Sequence, residues 1–87
     1  MKEVMVQVIN ETGLHARPAA QVVRLATKFK SQIYAVKDGK RADLKSLLDL
    51  LGLGVCQNDS FTIRAEGKDE NKAIEQITEL INEINNS

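Results

Sequence analysis

The chain has 87 residues, 43% of them apolar, and its 12 basic and 12 acidic residues leave a formal net charge of +0 at neutral pH. This length predicts one domain over residues 1–87, and the apolar fraction argues against an intrinsically disordered chain. The charge balance gives nucleic-acid binding no electrostatic support, and no apolar run is long enough to cross a membrane.

The first half of the chain switches between strand and helix patterns. Apolar residues alternate over residues 2–9, which predicts a strand, and recur at helical spacing over 16–28. Alternation returns over 32–37 and, more briefly, over 40–43. Asp38-Gly39 joins these two strands, and this dipeptide is typical of a tight hairpin because both positions tolerate a positive φ.

A leucine-rich block over residues 44–54 follows the hairpin. Its six leucines predict a short helix that begins after Ser46 and ends at Gly52 or Gly54. Leu47 and Leu50 suit the core and an exposed surface equally well. Leu48 and Leu51 suit the core less well, because so short a helix cannot bury every side.

The C-terminal third predicts one strand and one helix. Alternation over residues 60–66 predicts the fourth strand. Asp69 is expected to cap the following helix through its side chain, and Glu70 places negative charge in the first turn. Isoleucines from Ile74 to Ile84 recur on one stripe of this helix and predict its buried face.

The predicted order of elements is β-α-β-β-α-β-α. It favours an α+β fold, an open-faced two-layer sandwich in which a four-stranded, mainly antiparallel sheet is covered on one face by three helices. The apolar strand positions are expected to face those helices. They are Val4, Val6, Val8, Ile33, Ala35, Phe61, Ile63 and Ala65.

The single cysteine, Cys56, cannot form an internal disulfide. We expect it to be a small buried or half-buried residue rather than a reactive thiol. The N-terminal residues also lack the apolar stretch of a signal peptide. Together these features favour a cytoplasmic protein.

His15, the only histidine, precedes the predicted first helix. If the helix begins at Ala16, the first-turn amides lack intrahelical acceptors and form a small anion site together with the helix dipole. Pro18 has no amide to leave unpaired, and Arg17 adds a fork of donors that fits phosphoryl oxygens. A neutral imidazole is a competent nucleophile, so the pattern suits transient phosphoryl attachment, and a structural or solvated histidine is an equal alternative. No second histidine or cysteine cluster predicts a metal, and we expect no cofactor.

Residues 13–20, Gly-Leu-His-Ala-Arg-Pro-Ala-Ala, resemble the signature of HPr, the histidine-containing phosphocarrier of the bacterial sugar phosphotransferase system. Leu44–Ser46 resembles the regulatory serine segment of that family, and Leu53-Gly54 follows at the family's spacing. Asp38–Lys40 resembles its central hairpin. The resemblance extends over essentially the whole chain and includes the order of elements.

The resemblance implies that His15 accepts a phosphoryl group on Nδ1 from phospho-enzyme I, which phosphoenolpyruvate charges, and donates it to IIA components of sugar permeases. It also implies that Arg17 and the amides of Ala16 and Arg17 hold the phosphoryl oxygens. Such a protein is a monomeric carrier with no turnover of its own. An exposed apolar patch with a basic rim should receive its partners. The candidates for this docking surface are Ala20, Arg24, Leu47, Leu48, Asp49 and Leu51.

The resemblance further implies that Ser46 is phosphorylated by HPr kinase/phosphorylase and that the product binds catabolite control protein A. The alternative is that Ser46 is simply a helix cap. Asp49 departs from the family pattern, which has glycine there. Ser46 and Asp49 have the spacing of a capping box, in which the acid reaches back to the cap amide, and Asp49 would repel a phosphoserine.

Two rival functions remain at this point. One is an HPr-like regulatory paralogue that acts mainly as a protein-binding module in catabolite or nitrogen regulation. The other is a nucleic-acid or small-ligand module, which the low aromatic content of 3% and the lack of a basic stripe disfavour.

Overall fold

The computed structural model describes residues 1–86 and has the predicted order of elements. The strands are β1 (Lys2–Gln7), β2 (Gln32–Lys37), β3 (Lys40–Asp43) and β4 (Ser60–Glu66). The helices are α1 (Ala16–Ala26), α2 (Leu47–Gly52) and α3 (Glu70–Asn85). No helix within these residues is long and apolar enough to cross a membrane.

The four strands form one sheet in the order β1-β4-β2-β3, and all three pairings are antiparallel. Val6 of β1 lies opposite Phe61, and Ala35 of β2 lies opposite Ile63. The predicted α+β sandwich is therefore confirmed. β1 lies at one edge of the sheet, so the segment that follows it is free to leave the sheet and enter α1.

One face of the sheet and the apolar stripes of the helices form the core. All of the predicted inward strand positions are buried except Val4, which is half-buried and packs against the core. On α3 the buried stripe is Ala73, Ile74, Ile77, Ile81 and Ile84. Burial of each of these isoleucines contributes roughly 1.5–3 kcal/mol, and apolar burial of this kind is the main source of stability.

The hairpin between β2 and β3 has the predicted turn. Asp38 has a φ of 51° and Gly39 a φ of 78°, so both central residues lie in the left-handed region. Two successive residues with positive φ are what a type I′ turn requires, and its twist matches that of the flanking strands.

Two elements are shorter than predicted. β1 ends at Gln7 rather than at residue 9. Val8 still exchanges hydrogen bonds with Asp59 and Asn58. Asn58 has a φ of 72°, however, and the segment before β4 turns away from β1 there. α1 ends at Ala26 rather than at residue 28. Its last turn tightens beyond that point, where the amide of Lys28 bonds to the carbonyl three residues earlier.

The prediction of a side-chain cap at Asp69 is wrong. Asp69 is the N-cap residue of α3, but its carboxylate makes no capping bond. It accepts hydrogen bonds from the amides of Lys30 and Ser31, at 2.9 and 3.0 Å, and from the Ser31 hydroxyl. The Ser31 hydroxyl, followed by the Lys30 amide, lowers the pKa of Asp69 to about 2. Its carboxylate therefore ties the start of α3 to the segment that precedes β2.

The prediction for Cys56 is also wrong, because its side chain is exposed. The neighbouring Val55 takes the buried position. Cys56 lies in a turn, where its amide donates to the carboxylate of Asp59 at 2.8 Å. The prediction rested on how commonly cysteine is buried, and the turn directs this side chain outward instead.

Candidate functional site

The loop between β1 and α1 is fixed by hydrogen bonds at both of its ends. The amide of Gly13 donates to the carbonyl of Asn10 at 3.1 Å, and the side-chain amide of Asn10 donates back to the carbonyl of Gly13 at 3.0 Å. The amide of Leu14 donates to Val55 at 3.0 Å, and the Leu14 side chain is buried. His15 therefore follows a residue that is anchored in the core.

His15 is the N-cap residue of α1, as the sequence predicts. Its backbone is extended, with φ −84° and ψ −171°, and its carbonyl accepts the first helical hydrogen bond from Ala19 at 3.0 Å. The imidazole makes no capping bond, and the residue is exposed. The residue is therefore accessible to a reacting group.

The first turn of α1 presents two free amides. No hydrogen-bond acceptor for the amides of Ala16 and Arg17 is found among residues 1–86, and Pro18 has no N–H. The first turn also contains no acidic residue that would compete for these donors. Free amides and the positive end of the helix dipole bind anions, so this end of α1 is chemically suited to phosphoryl oxygens.

His15 and Arg17 line one surface cleft with a volume of about 540 Å³. The cleft brings three segments of the chain together. Its lining comprises Asn10, Glu11 and Thr12 from the loop, His15, Arg17, Pro18 and Gln21 from the start of α1, and Ile84 from the end of α3. His15 and Arg17, the two reacting side chains expected from the sequence, both line this cleft.

The lining residues Glu11, Gln21 and Ile84 were not predicted from the sequence. Gln21 is one turn beyond Arg17, and helical spacing could have found it. Ile84 belongs to the apolar stripe of α3, and nothing in its local sequence places it beside the loop. Only the packing of α3 against β1 does so.

Ser46 is the N-cap residue of α2, again as predicted, and is half-buried. Its hydroxyl accepts from the amide of Asp49 at 3.3 Å. The other half of the expected capping box is wrong: the amide of Ser46 donates to the Asp43 carbonyl, and the carboxylate of Asp49 accepts from the Asp43 amide at 3.3 Å instead. Asp49 thus bonds to the end of β3, because the chain before Ser46 turns and presents that amide.

The leucines of α2 divide between the core and the surface. Leu50 is fully buried, and Leu51 is half-buried against the core. Leu47 is exposed, and Leu48 has 83% of its surface accessible. An apolar side chain that is so exposed on a helix contributes little to folding and is available for contact with another molecule.

The remaining docking candidates lie on α1 and α2, which pack against each other. Ala20 is half-buried, whereas Arg24, in the last turn of α1, and Asp49, in the first turn of α2, are exposed. The six candidates are therefore carried by two neighbouring helices. His15 and Ser46 are the N-cap residues of the same two helices.

Within residues 1–86, no group of three or more His, Cys, Asp or Glu residues is arranged to hold a metal ion. The chemistry that the site offers is that of an exposed imidazole, a guanidinium and two backbone N–H donors. These groups are suited to the transfer and binding of a phosphoryl group.

Comparison with known proteins agrees with this geometry. A family model described as "PTS HPr component phosphorylation site" matches residues 2–83. The phosphocarrier protein HPr of Lysinibacillus sphaericus is 43% identical over 84 residues, which cover 97% of this chain and 96% of that protein. A crystal structure of HPr-C-His from Thermoanaerobacter tengcongensis has a TM-score of 0.95 at 45% identity and covers 100% of this chain and 98% of its own.

A third relative has a different name. Crh, the Bacillus subtilis catabolite repression containing protein, was solved as a dimer with a swapped domain. It is 38% identical to this chain, with a TM-score of 0.77 and 97% of both chains covered. The family model spans nearly the whole chain, and the relatives match it from end to end. The chain therefore belongs to the HPr family of phosphotransferase-system phosphocarriers.

Proposed function

We propose that His15 accepts a phosphoryl group from phospho-enzyme I, charged by phosphoenolpyruvate, and passes it to IIA components of sugar permeases in the cytoplasm. The observation that carries this proposal is the position of the exposed His15 imidazole directly before the two free amides of α1. Membership of the HPr family supports it.

The transfer needs no cofactor. The lone pair of Nδ1 forms the new P–N bond while the bond from phosphorus to the donor breaks, and the electron pair of that bond stays with the donor. The same step in reverse, with the IIA component as acceptor, returns His15 to its free state. No proton has to leave the imidazole for the P–N bond to form.

Arg17 and the helix end act on the charge of the transferred group. The guanidinium offers paired donors to two phosphoryl oxygens, and the amides of Ala16 and Arg17 offer two more. Because the helix already orients the two amides, their part of the site needs little reorganisation during transfer. Pro18 fits the first turn without adding an unpaired amide.

Partners would approach over α1 and α2. Leu47, Leu48 and the accessible part of Leu51 supply apolar contact, and Ala20 keeps the surface low between the helices. Arg24 supplies positive charge that favours acidic partners. Each handover would be made by a monomer, so that one surface can serve donor and acceptor in turn.

The experiment is phosphorylation by enzyme I and phosphoenolpyruvate, followed by intact-mass measurement. We expect one acid-labile phosphoryl adduct on the wild-type chain, and its transfer to an added IIA component. His15→Ala should form no adduct, whereas Ser46→Ala should form it normally. The absence of any adduct with a cognate enzyme I, or an adduct that survives in His15→Ala, would overturn the proposal.

A second function is favoured by the geometry at Ser46 and by the similarity to Crh. In this reading Ser46 is phosphorylated by HPr kinase/phosphorylase, and the modified chain is a regulatory module that binds catabolite control protein A. Phosphate on Ser46 would lie at the start of α2, beside the exposed leucines, and would change the charge of the docking surface.

Incubation with that kinase and ATP separates the two functions. An acid-stable adduct that is retained in His15→Ala and lost in Ser46→Ala would support the regulatory function. Light scattering of both forms would test the monomer at the same time, since a dimer like that of Crh would double the measured mass.

A further inference from the structure

The side chain of Asn85, at the end of α3, bonds to the main chain at the end of β1. Its Oδ1 accepts from the amide of Ile9 and its Nδ2 donates to the carbonyl of Gln7, both at 2.9 Å. Val8, between them, bonds in the opposite direction, to Asp59 and Asn58. The N–H and C=O of one strand residue point to the same edge, and those of the next residue point to the opposite edge. The Gln7 carbonyl and the Ile9 amide therefore face the outer edge at the end of β1.

That outer edge has no neighbouring strand among residues 1–86. A strand there would donate to the C=O of one residue, here Gln7, and accept from the N–H of the residue two positions later, here Ile9. The carboxamide of Asn85 has one acceptor and one donor, and both are used in this way. One side chain therefore takes the place of a strand at the point where the chain leaves the sheet.

The anchored segment leads directly into the loop that carries His15. The carbonyl of Ile9 accepts a longer hydrogen bond, of 3.4 Å, from Gln57. The next residue, Asn10, is bonded to Gly13 through its carbonyl and its side chain. Hydrogen bonds thus fix residues 7–10 at successive points, to Asn85 at one end and to Gly13, just before Leu14 and His15, at the other.

The residue before Asn85 is Ile84, which lines the same cleft as His15 and Arg17. The last turn of α3 is therefore both a wall of the cleft and the support of the loop opposite. A shift of residues 7–9 relative to α3 would move the loop against this wall.

From this geometry we infer that Asn85 is a positioning residue for phosphoryl transfer at His15. The inference rests on the proposed function of His15 and assigns to that site a residue beyond its reacting groups. Asn85 itself touches no reacting atom. It acts through Gln7 and Ile9 and fixes the height at which the loop presents the imidazole in the cleft.

The test compares Asn85→Ala, which loses both bonds, with Asn85→Asp, which keeps an acceptor for the Ile9 amide but places an oxygen against the Gln7 carbonyl. Asn82→Ala is the matched control. It makes the same change on α3, at an exposed residue for which no side-chain hydrogen bond is found within residues 1–86.

Transfer from phospho-enzyme I is measured at a temperature at which circular dichroism shows every variant fully folded. We expect the maximal rate constant of Asn85→Ala to fall by roughly tenfold, because small displacements of a reacting group are costly. Its half-saturating concentration should not change, because the docking helices α1 and α2 are untouched. Asn85→Asp should be intermediate, and Asn82→Ala should match the wild type.

A second readout does not depend on catalysis. In amide NMR spectra, Asn85→Ala should speed hydrogen exchange at Ile9 and shift the resonances of Ala16 and Arg17, whereas Asn82→Ala should do neither. A lower melting temperature with an unchanged maximal rate constant would reduce Asn85 to a structural role and overturn the inference.

Failure of the proposed function is distinguishable from failure of this inference. If the wild type accepts no phosphoryl group, the NMR comparison decides the matter. Shifted resonances at Ala16 and Arg17 would support a positioning role for Asn85, and unshifted ones would overturn it.

Discussion

The main chain of Gly13 lies against the carbonyl oxygen of Val55. A Cβ added at Gly13 would be 2.6 Å from that oxygen and 2.9 Å from the Cα of Cys56, and Gly13 has a φ of +63°. The close approach allows the next residue, Leu14, to donate its amide to the same carbonyl. The position of His15 thus depends on a glycine two residues earlier that has neither room nor the backbone conformation for a side chain.

Gly13→Ala should therefore lower the free energy of unfolding by about 2–4 kcal/mol, which combines the strain of a positive φ with the steric overlap. Gly39→Ala is the matched control, since Gly39 has a φ of +78° and open space around it. It should lose only the conformational part, about 1 kcal/mol. Urea unfolding measures both values, and equal losses in the two variants would contradict the steric argument.

Features that depend on local chemistry were predictable from the sequence. Asp38-Gly39 gave the hairpin because only a few residues tolerate positive φ, and Ser46 gave the start of α2 because its hydroxyl can accept from the first turn. His15 was placed at the start of α1 for a similar reason, since Pro18 fits only a first turn. Each of these signals is contained within a few residues.

Features that depend on contacts between distant segments were not predictable. Asp69 has the sequence context of a cap, but its carboxylate accepts from the amides of Lys30 and Ser31, which are distant in the sequence. Ile84 reaches the cleft only because α3 packs beside β1. Cys56 was misplaced because cysteine is commonly a buried residue type, whereas the turn that begins at Cys56 leaves its side chain exposed.

Arg17→Lys keeps the positive charge but loses the planar fork of donors. We expect the maximal rate constant of transfer to His15 to fall by roughly tenfold, about the effect of one lost charge-assisted hydrogen bond. Arg24→Lys is the control on the same helix and should leave that rate constant unchanged. Rapid-quench measurement with phospho-enzyme I gives both values. An equal effect of the two substitutions would show that Arg17 acts only through its charge.

Leu48→Ser tests the docking surface without disturbing the core. Because 83% of Leu48 is accessible, the free energy of unfolding should change by less than about 0.5 kcal/mol. The half-saturating concentration for enzyme I should rise several-fold. Leu50→Ala should have the reverse pattern. Its free energy of unfolding should fall by about 2–5 kcal/mol, and the half-saturating concentration of the folded fraction should not change. If the half-saturating concentration for enzyme I does not change in Leu48→Ser, then Leu48 is not part of the docking surface.

The Asp69 carboxylate makes stability depend on pH. Its pKa is lowered to about 2 in the folded chain from an ordinary value of 3.8, so the stabilisation is fully present above about pH 4 and is lost as the pH falls through about 2. Asp69→Asn should melt several degrees lower at neutral pH and lose less additional stability between about pH 4 and pH 2. Melting curves across this range check both effects. If the melting temperatures of the wild type and Asp69→Asn fall equally between about pH 4 and pH 2, then the Asp69 carboxylate is not the source of this pH dependence.

Asp49 should slow phosphorylation of Ser46, because a phosphate there would meet a carboxylate one turn away. Asp49→Gly should accelerate the reaction of the serine kinase by roughly fivefold, the effect of about 1 kcal/mol of repulsion near the surface. Asp49→Asn removes the charge and keeps an acceptor for the Asp43 amide, so it separates repulsion from the lost hydrogen bond. Equal rates for the wild type and Asp49→Gly would refute the repulsion.

The two free donors at the start of α1 belong to the main chain, at Ala16 and Arg17. Replacement of Ala16 by any residue but proline leaves the backbone N–H in place. Replacement of Arg17 also keeps the backbone N–H but removes the guanidinium. Evolutionary drift at residue 16 can thus reshape the surface that a partner touches without deleting a ligand of the phosphoryl group. In this protein the tolerance of the site to mutation is set by the backbone at one residue and by the side chain at the next.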